Sequence, residues 1–363
     1  MEKQERLRIF IIVSSVLFAI LLMANLVKAK GTVDIKETKR KVNEKNNSIV
    51  SSFDYNAKTV VAALKNEIII YDGKNLVKKN DKFKNIFETR LAINDFVMKV
   101  EQEDIYILDK IDKILYKINK DGEIVSQAKF MESGQNIYPL KNGDVLLSYN
   151  TNVAADGIIV YDSDMKPKTN INYPNSLIST VNFEESTNTI YVSVQVNNLA
   201  DITNTIYAYN SNYEVQSINS YKNLLTIEMI NTNNSKLILD PTRLYILDGK
   251  YKNVATIDAQ NSFAGMVLVN EKIYLLDGNK NVRIYDKTGK LLEEKAFKDT
   301  INKMILDMPQ IIYIGTTSVH TQNRTMEFAK DIEKSVLLSN NKLVLFFKGN
   351  VEIIRLVDRK SVV

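Results

Sequence analysis

The sequence predicts an all-β protein, a β-propeller of about eight four-stranded blades, or alternatively seven, preceded by one N-terminal transmembrane helix. Two observations predict this. Residues 9–27 form an uncharged apolar run, and from residue 48 onward short apolar strands and tight polar turns recur with a period of roughly forty residues. The chain therefore divides into a short charged tail (1–8), a transmembrane helix (9–27), a polar tether (28–47) and a propeller (48–363).

The clearest copy of the repeat is residues 271–297, EKIYLLDGNKNVRIYDKTGKLLEEKAF. Its strands alternate apolar and polar residues, and Gly, Asn and Asp mark the turns between them. Eight units of this kind begin near Ser48, Leu91, Asn136, Ile178, Leu224, Ser262, Ile301 and Ser335. The last two units are short, so they could instead be one blade with an insertion, which would give seven.

Ring closure bears on the number of blades. The first unit is assigned the strands SIVSSFD, TVVAALK, EIIIYDG and NLVKKND, and the eighth lacks a clear fourth strand. A propeller removes its exposed edges best when strands from both termini share a blade. Val33 and Ile35 alternate with polar residues in TVDIKE, so we predict that a short strand there completes the last blade.

The apolar run IFIIVSSVLFAILLMANLV at residues 9–27 is long enough to cross a bilayer as one helix. The alternative is a cleaved signal peptide, since Val27 and Ala29 have the small-residue spacing of a cleavage site. Cleavable apolar regions usually run about 7–15 residues, which favours the membrane helix. The polar tether behind it is interpreted as a solvated linker.

Positive charges flank the apolar run on both sides, so its orientation is decided by other features. Lys3, Arg6 and Arg8 precede the run and favour a propeller outside the cell, whereas the lysines of the tether favour the cytoplasm. The very short N-terminal tail and the absence of cysteine favour the outside. We predict a single-pass protein of the cell membrane with an extracytoplasmic propeller; a propeller facing the cytoplasm is the alternative.

Composition excludes several classes of function. The net charge of +5 is spread among acidic residues, whereas nucleic-acid binding needs a concentrated basic stripe. The lack of cysteine excludes disulfides, thiolate metal sites and a cysteine nucleophile. His320 is the sole histidine, so a histidine-based triad or zinc site has little to be built from. We predict no catalytic residues, no metal and no cofactor.

Asp follows Tyr or Leu at the end of many strands, and these residues have a structural interpretation. An Asp in this position accepts bonds from nearby backbone amides of a hairpin turn, which favours turns over a ring of metal ligands. The residues are Asp72, Asp109, Asp162, Asp248, Asp277 and Asp286. The recurrent tyrosines, as in DIYI and KIYL, are predicted to pack between blades, where other propellers use tryptophan, which this chain lacks.

VRIYDKTGKLLEE at residues 282–294 and LYKINKDGEIVSQ at 115–127 resemble the repeats of quinoprotein-like bacterial propellers. The whole layout resembles uncharacterised single-pass membrane-anchored propeller proteins of Gram-positive bacteria. The resemblance implies the architecture only. Repeats of the quinone-dependent enzymes carry a tryptophan and their site needs acidic and aromatic ligands, so no cofactor is carried over.

Two stretches depart from the regular repeat, and both are interpreted as lengthened hairpins. They are NNLADITN at 197–204 and GTTSVHTQN at 315–323. Insertions in propellers fall on the faces, where partners bind. The candidate partner-contact residues are Asn197, Asn198, Asp201, Thr317, His320 and Gln322.

The sequence therefore predicts a non-enzymatic binding or scaffold module that holds a protein partner at the cell envelope. The competing class is an enzyme that acts on envelope glycans through carboxylates over the central channel.

Overall fold

A computed structural model describes residues 48–53, 56–151, 156–197, 202–232, 234–278, 280–307, 310–322 and 324–356. All of these residues belong to one compact unit, residues 46–363. The predicted transmembrane helix and tether lie outside the described residues. Within the ranges given, no helix has the length and hydrophobicity needed to cross a bilayer.

The described residues form eight four-stranded antiparallel sheets, which are the blades of a propeller. We number the blades 1 to 8 along the chain and letter the strands of each blade A to D. Blades 1 to 3 consist of β2 (Val60–Leu64), β3 (Glu67–Tyr71), β4 (Asn75–Lys79) and β5 (Asn85–Arg90); β6 (Phe96–Glu101), β7 (Asp104–Asp109), β8 (Ile114–Ile118) and β9 (Ile124–Lys129); and β10 (Ser133–Pro139), β11 (Val145–Asn150), β12 (Asp156–Tyr161) and β13 (Pro167–Tyr173). Blades 4 to 6 consist of β14 (Ser176–Glu184), β15 (Thr189–Asn197), β16 (Ile202–Tyr209) and β17 (Val215–Lys222); β18 (Glu228–Thr232), β19 (Ser235–Leu239), β20 (Arg243–Asp248) and β21 (Asn253–Asp258); and β22 (Phe263–Val269), β23 (Lys272–Asp277), β24 (Asn281–Asp286) and β25 (Leu291–Ala296). Blade 7 consists of β26 (Ile301–Asp307), β27 (Gln310–Gly315), β28 (Ser318–His320) and β29 (Thr325–Glu327), and blade 8 consists of β30 (Lys334–Leu338), β31 (Lys342–Phe347) and β32 (Gly349–Arg355), with β1 (Ile49–Phe53) as its strand D.

The prediction of eight blades is confirmed, and the alternative of seven is wrong. Blade 8 is completed by β1, which pairs with β32 from Ile49 opposite Ile353 to Phe53 opposite Gly349. The Phe53 ring packs edge-on against Phe346 of the same blade, with centroids 5.7 Å apart. The first and last parts of the propeller sequence therefore share one sheet, which removes its free edges as expected for ring closure.

Three details of the predicted repeat are corrected. Residues 48–54 were assigned to the first blade, but β1 lies in blade 8, and blade 1 gains an unpredicted outer strand, β5. The closing strand was predicted at residues 32–37, which lie outside the described residues, whereas β1 occupies that place. Residues 315–323 are not one lengthened hairpin, because they contain β28, the third strand of blade 7.

Apolar packing between adjacent blades forms the core. Eight clusters of buried residues lie between neighbouring blades, one for each interface of the ring. The predicted role of the recurrent tyrosines is confirmed, because Tyr71, Tyr106, Tyr191 and Tyr313 each lie buried in one of these clusters. Each blade thus buries its apolar side chains against its two neighbours.

The turn interpretation of the strand-end aspartates is confirmed for five of the six. In blade 6, Asp286 Oδ1 accepts from the backbone N–H groups of Thr288 (2.8 Å) and Lys290 (3.0 Å). Equivalent side-chain caps close turns in other blades at Asp72, Asp109, Asp162 and Asp248. Asp277 differs, because it accepts from Gln260 N and Asn261 N in the preceding connection and pairs with Arg283.

Strand direction gives the ring two distinct faces. The A strands of neighbouring blades contact one another and surround the centre. The A–B and C–D turns share one face, which we call the A–B face; the B–C turns and the connections between blades share the opposite B–C face. Leu356, just after β32, donates its backbone N–H to Asn341 O in an A–B turn (3.1 Å). Because β1 runs antiparallel to β32, the chain enters the ring at the A–B face.

Candidate functional site

Blade 4 is taller than its neighbour, blade 5. Its strands are eight or nine residues long, whereas those of blade 5 have five or six. At about 3.3 Å per residue, the difference amounts to roughly 10 Å. The additional residues lie toward the B–C face, where β15 ends at Asn197 and β16 begins at Ile202. Blade 4 therefore rises above blade 5 as a wall beside a lower surface.

The side of this wall that faces blade 5 can be identified from the strand register. Leu177, Gln195, Asn204 and Tyr221 lie directly opposite one another across the four strands of blade 4. Side chains in such a row share one side of the sheet. Tyr221 packs against the apolar cluster between blades 4 and 5, so the whole row faces blade 5.

Four apolar side chains are exposed where the wall meets the lower surface. Leu177 and Ile202 belong to the wall, and Leu225 and Ile227 belong to the connection that leads into blade 5. Ile202 O accepts from the backbone N–H of Asn223 at 2.7 Å, which holds the two groups together. We call this surface, together with Gln195, Tyr221 and Thr226, the blade 4–5 step.

Three polar atoms of the blade 4–5 step are buried without a hydrogen bond to any described residue. They are Gln195 Nε2, Tyr221 OH and Thr226 Oγ1. Burial and the neighbouring Tyr251 raise the pKa of Tyr221 to about 12, so its hydroxyl stays protonated. An unsatisfied buried polar group costs about 1–3 kcal/mol, and such groups are normally satisfied by water or a bound partner. The blade 4–5 step thus combines exposed apolar surface with unused hydrogen-bonding capacity.

The first group of sequence-predicted contact residues adjoins the blade 4–5 step. Asn197 is the last residue of β15, directly opposite Ile202. Asn198 and Asp201 lie outside the described residues. The pattern that singled out this hairpin was its length, and the structure adds the exposed apolar residues beside it, which the sequence analysis did not identify.

The second group of predicted contact residues lies at blade 7. Thr317 and His320 line a groove of about 860 Å³ between the outer parts of blades 6 and 7. Gln322 is exposed in the turn between β28 and β29. The groove exists because β28 and β29 have only three residues each, so the outer half of blade 7 is reduced. Thr317 and Asn197 belong to or adjoin B–C turns and lie toward the B–C face, whereas Gln322 lies in a C–D turn at the A–B face.

His320 takes part in a chain of hydrogen bonds that does not activate a nucleophile. Ser318 Oγ donates to Asp299 Oδ2 (2.7 Å) and lies 2.9 Å from His320 Nε2. Since the Ser318 proton is directed to Asp299, the network assigns the proton to Nε2 of the imidazole, and Nδ1 accepts from Thr325 Oγ1 (2.9 Å). A general base must instead accept the serine proton. Burial lowers the pKa of His320, which favours its neutral form.

A pocket opens on the opposite face of the ring. It has a volume of about 590 Å³ and lies among the A–B turns of blades 4, 5 and 6. We call it the A–B pocket. Its residues include the apolar side chains Phe183, Leu237, Leu268 and Ile273, the amides Asn231, Asn234 and Asn270, and the charged side chains Glu184, Glu185, Glu271 and Lys287.

Each carboxylate of the A–B pocket has its own lysine. Glu271 pairs with Lys287 (2.9 Å), Glu185 pairs with Lys141, and the buried Glu184 pairs with Lys236 (3.0 Å). Burial alone would raise the pKa of Glu184, but hydrogen bonds from Lys236 and Tyr191 lower it overall. A general acid needs a raised pKa, so Glu184 is unsuited to protonate a leaving group.

Two inner-strand carboxylates with raised pKa values, those of Glu228 and Asp307, are also far apart. Burial raises the pKa of Glu228 and of Asp307, as expected for candidate general acids. Glu228 begins β18 at the B–C face, whereas Asp307 ends β26 at the A–B face. The strand lengths separate them by about 13 Å or more, beyond the spacing of either class of glycosidase. Across the described ranges, no group of three or more His, Cys, Asp or Glu is arranged to hold a metal.

Comparison with known proteins supports the fold. No family model and no curated protein matches the chain. The structure is similar to BamB from Moraxella catarrhalis (TM-score 0.61, 11% identity, covering 84% of this chain and 98% of that one). It is also similar to Sqt1 from Saccharomyces cerevisiae (TM-score 0.66, 9% identity, 86% and 100%) and to BBS1N, solved in complex with ARL6DN (TM-score 0.53, 13% identity, 74% and 94%). At these identities the similarity concerns the fold, and it places the chain among the β-propellers.

Proposed function

We propose that this protein is a membrane-tethered β-propeller that acts outside the cytoplasm as a protein-binding scaffold of the cell envelope. One observation carries the binding role: the blade 4–5 step exposes Leu177, Ile202, Leu225 and Ile227 together on one face. Grouped exposed apolar side chains are typical of protein interaction sites, whereas single ones are ordinary.

The proposals of a membrane tether and of an extracytoplasmic location are based on the sequence. The apolar run at residues 9–27 supports a membrane anchor, and the absence of cysteine suits an extracytoplasmic domain. The chain enters the propeller at the A–B face.

A photo-crosslinking experiment tests the binding role. A photoreactive amino acid replaces Leu225 in the full-length protein, produced in the cells it comes from, and crosslinked products are identified by mass spectrometry. Val254 is the matched control, because it is similarly exposed but lies on the outer strand β21 of blade 5. We expect one defined protein adduct from position 225 and none from position 254. Equal adducts at both positions, or none at either, would refute a partner site at the step.

A second experiment separates a partner contact from a folding defect. Leu225→Asp places a charge on a side chain that is already 43% exposed, so the thermal midpoint should change little. In this experiment the photoreactive amino acid replaces Ile202 instead of Leu225. Loss of its adduct in the Leu225→Asp protein, with unchanged thermal unfolding, supports the step as an interface. An undiminished adduct argues against it.

Orientation has its own test. Alkaline phosphatase fused to the C-terminus is active only outside the cytoplasm. High activity supports the proposed compartment, and inactivity of a stably produced fusion favours the cytoplasm-facing alternative.

A further inference from the structure

The A–B pocket has the composition of a ligand site rather than of a gap between blades. Its volume of about 590 Å³ falls within the range of about 300–1,000 Å³ that is usual for small-molecule sites. Leu237 and Ile273 supply buried apolar surface, and Asn234 and Asn270 are exposed amides on the rim. An apolar interior with a few polar groups at its margin is the usual arrangement of such sites.

One atom of the pocket has an unused hydrogen-bonding capacity. Asn231 Nδ2 donates to Asn182 Oδ1 (3.1 Å), an inner-strand residue of blade 4. Asn182 in turn donates to Met229 O (3.0 Å), which fixes its amide. Asn231 Oδ1 accepts no hydrogen bond from a described residue, although it is buried.

The backbone at the rim of the A–B pocket is strained at the position of Glu271. Asn270 and Glu271 form the tight A–B turn of blade 6, and both have positive φ, 48° and 61°. Such a turn favours Asn followed by Gly, because a side chain with a Cβ is unfavourable in this region. Glu271 occupies the position that Gly would take, and it is one of the residues that line the pocket. Strain retained for one side chain is a recognised feature of functional sites.

The charges of the pocket are balanced within the protein. Lysines pair with Glu184, Glu185 and Glu271, so no net charge is left to attract an ion. The remaining polar groups are amides and hydroxyls, including those of Asn234 and Ser235, which both donate and accept. They match a ligand whose own polar groups also both donate and accept hydrogen bonds. A hydroxyl of a sugar meets this condition, and carboxylates strengthen the bonds that it donates.

The walls of the pocket disfavour an extended peptide. Peptides that add to a β-sheet pair with an open strand edge. The A–B pocket is formed by strand ends and turns, such as Glu185–Ser186 and Asn270–Glu271, and not by a strand edge. We propose that the A–B pocket binds a neutral saccharide. Because each carboxylate that lines the pocket is paired with a lysine, the site is assigned to binding and not to hydrolysis.

The test is calorimetric titration of the full-length protein in detergent with three probes. Triacetylchitotriose and cellotriose are neutral saccharides, with and without amide groups, and acetyl-trialanine amide is the peptide control. We expect binding of at least one saccharide and no binding of the peptide. Binding of the peptide alone, or of no probe, overturns the proposal. Unchanged saccharide chain length after prolonged incubation is expected, and cleavage would overturn the assignment as a binding site only.

Two variants locate the binding. Glu271→Gly relieves the positive-φ strain, so we expect a thermal midpoint about 1–3 °C higher together with at least tenfold weaker saccharide binding. Asn234→Ala should weaken binding about fivefold or more, in keeping with the loss of one hydrogen-bonding group. The matched control is Lys65→Gly, which also relieves strain at a positive φ (55°) and removes an exposed ion pair, with Glu103, in the A–B turn of blade 1 away from the pocket. Equal saccharide binding by all three variants would place the ligand elsewhere and overturn the proposal.

Discussion

A buried ion pair joins blades 4 and 5 beneath the A–B pocket, and removing one partner should destabilise the propeller. Lys236 Nζ lies 3.0 Å from Glu184 Oε2, 2.7 Å from Tyr191 OH and 3.3 Å from Thr232 O. The side chains of Lys236 and Glu184 are only 6% and 4% exposed. Lys236→Met keeps the length of the side chain but leaves the Glu184 carboxylate buried without its cation.

The expected loss is large because the remaining charge is desolvated. Breaking a buried pair by removal of one partner costs about 3–5 kcal/mol. For a domain of this size that corresponds to a fall of about 5–8 °C in the thermal midpoint. A second substitution, Glu184→Gln, removes the orphaned charge and keeps an oxygen for Tyr191 OH. The double variant should therefore recover most of the loss, since replacing both members of a buried pair is often nearly neutral.

The effect should also depend on pH. In the native protein the pKa of Glu184 is lowered, so its contribution is present above its unfolded pKa and is lost as the pH falls. In Lys236→Met, desolvation without the lysine raises that pKa, so the penalty appears as the pH rises above the unfolded value. The difference in stability between the two proteins should therefore be larger at pH 7 than at pH 4.

The assay is urea unfolding followed by circular dichroism, because the chain has no tryptophan for fluorescence. The matched control is Lys287→Met, which breaks an exposed pair with Glu271 and should cost less than about 1 kcal/mol. A loss below about 1 kcal/mol for Lys236→Met, or an equal loss at both pH values, would refute the reasoning.

Three further predictions concern the fold. Gly157→Ala would press a Cβ into the ring of a buried tyrosine and should lower the free energy of unfolding by about 1–3 kcal/mol, as measured by urea unfolding. At Gly265 the nearest atom to an added Cβ is 3.9 Å away, so the same substitution there should cost much less. Burial lowers the pKa of His320, so its contribution to stability is present above its unfolded pKa of about 6.5 and is lost as the pH falls through the folded value; His320→Gln should remove that part of the pH dependence. Phe53→Ala should cost about 2 kcal/mol in the same assay because the ring joins β1 to the core of blade 8, while Val50→Ala on the exposed side of β1 should be neutral within about 0.5 kcal/mol. Equal effects of Phe53→Ala and Val50→Ala would contradict the closure of the ring by β1.

The blades could be predicted because their signals are local. Strand alternation and the Asp-containing turns act within ten residues, as Asp286 and its amide partners at Thr288 and Lys290 illustrate. The assignment of the first strand failed because it depends on a long-range pairing. SIVSSFD has the same alternation whether it begins blade 1 or closes blade 8, and only its pairing with β32 decides.

A candidate site could be predicted from the sequence only where an unusually long hairpin marks it. The hairpin that ends at Asn197 was singled out because it interrupts the repeat. Leu225 and Ile227, in contrast, lie in a sequence that reads as the start of an ordinary strand, and their exposure follows from the height difference between blades 4 and 5. The A–B pocket is formed by turns of three blades, so its residues have no shared sequence pattern.

The two candidate surfaces lie on opposite faces of the ring. The A–B pocket lies at the A–B face, where β1 enters the ring. The blade 4–5 step lies at the opposite, B–C face. A protein partner bound there and a saccharide bound in the pocket would therefore not compete, and measuring crosslinking at position 225 with and without saturating saccharide tests that independence directly.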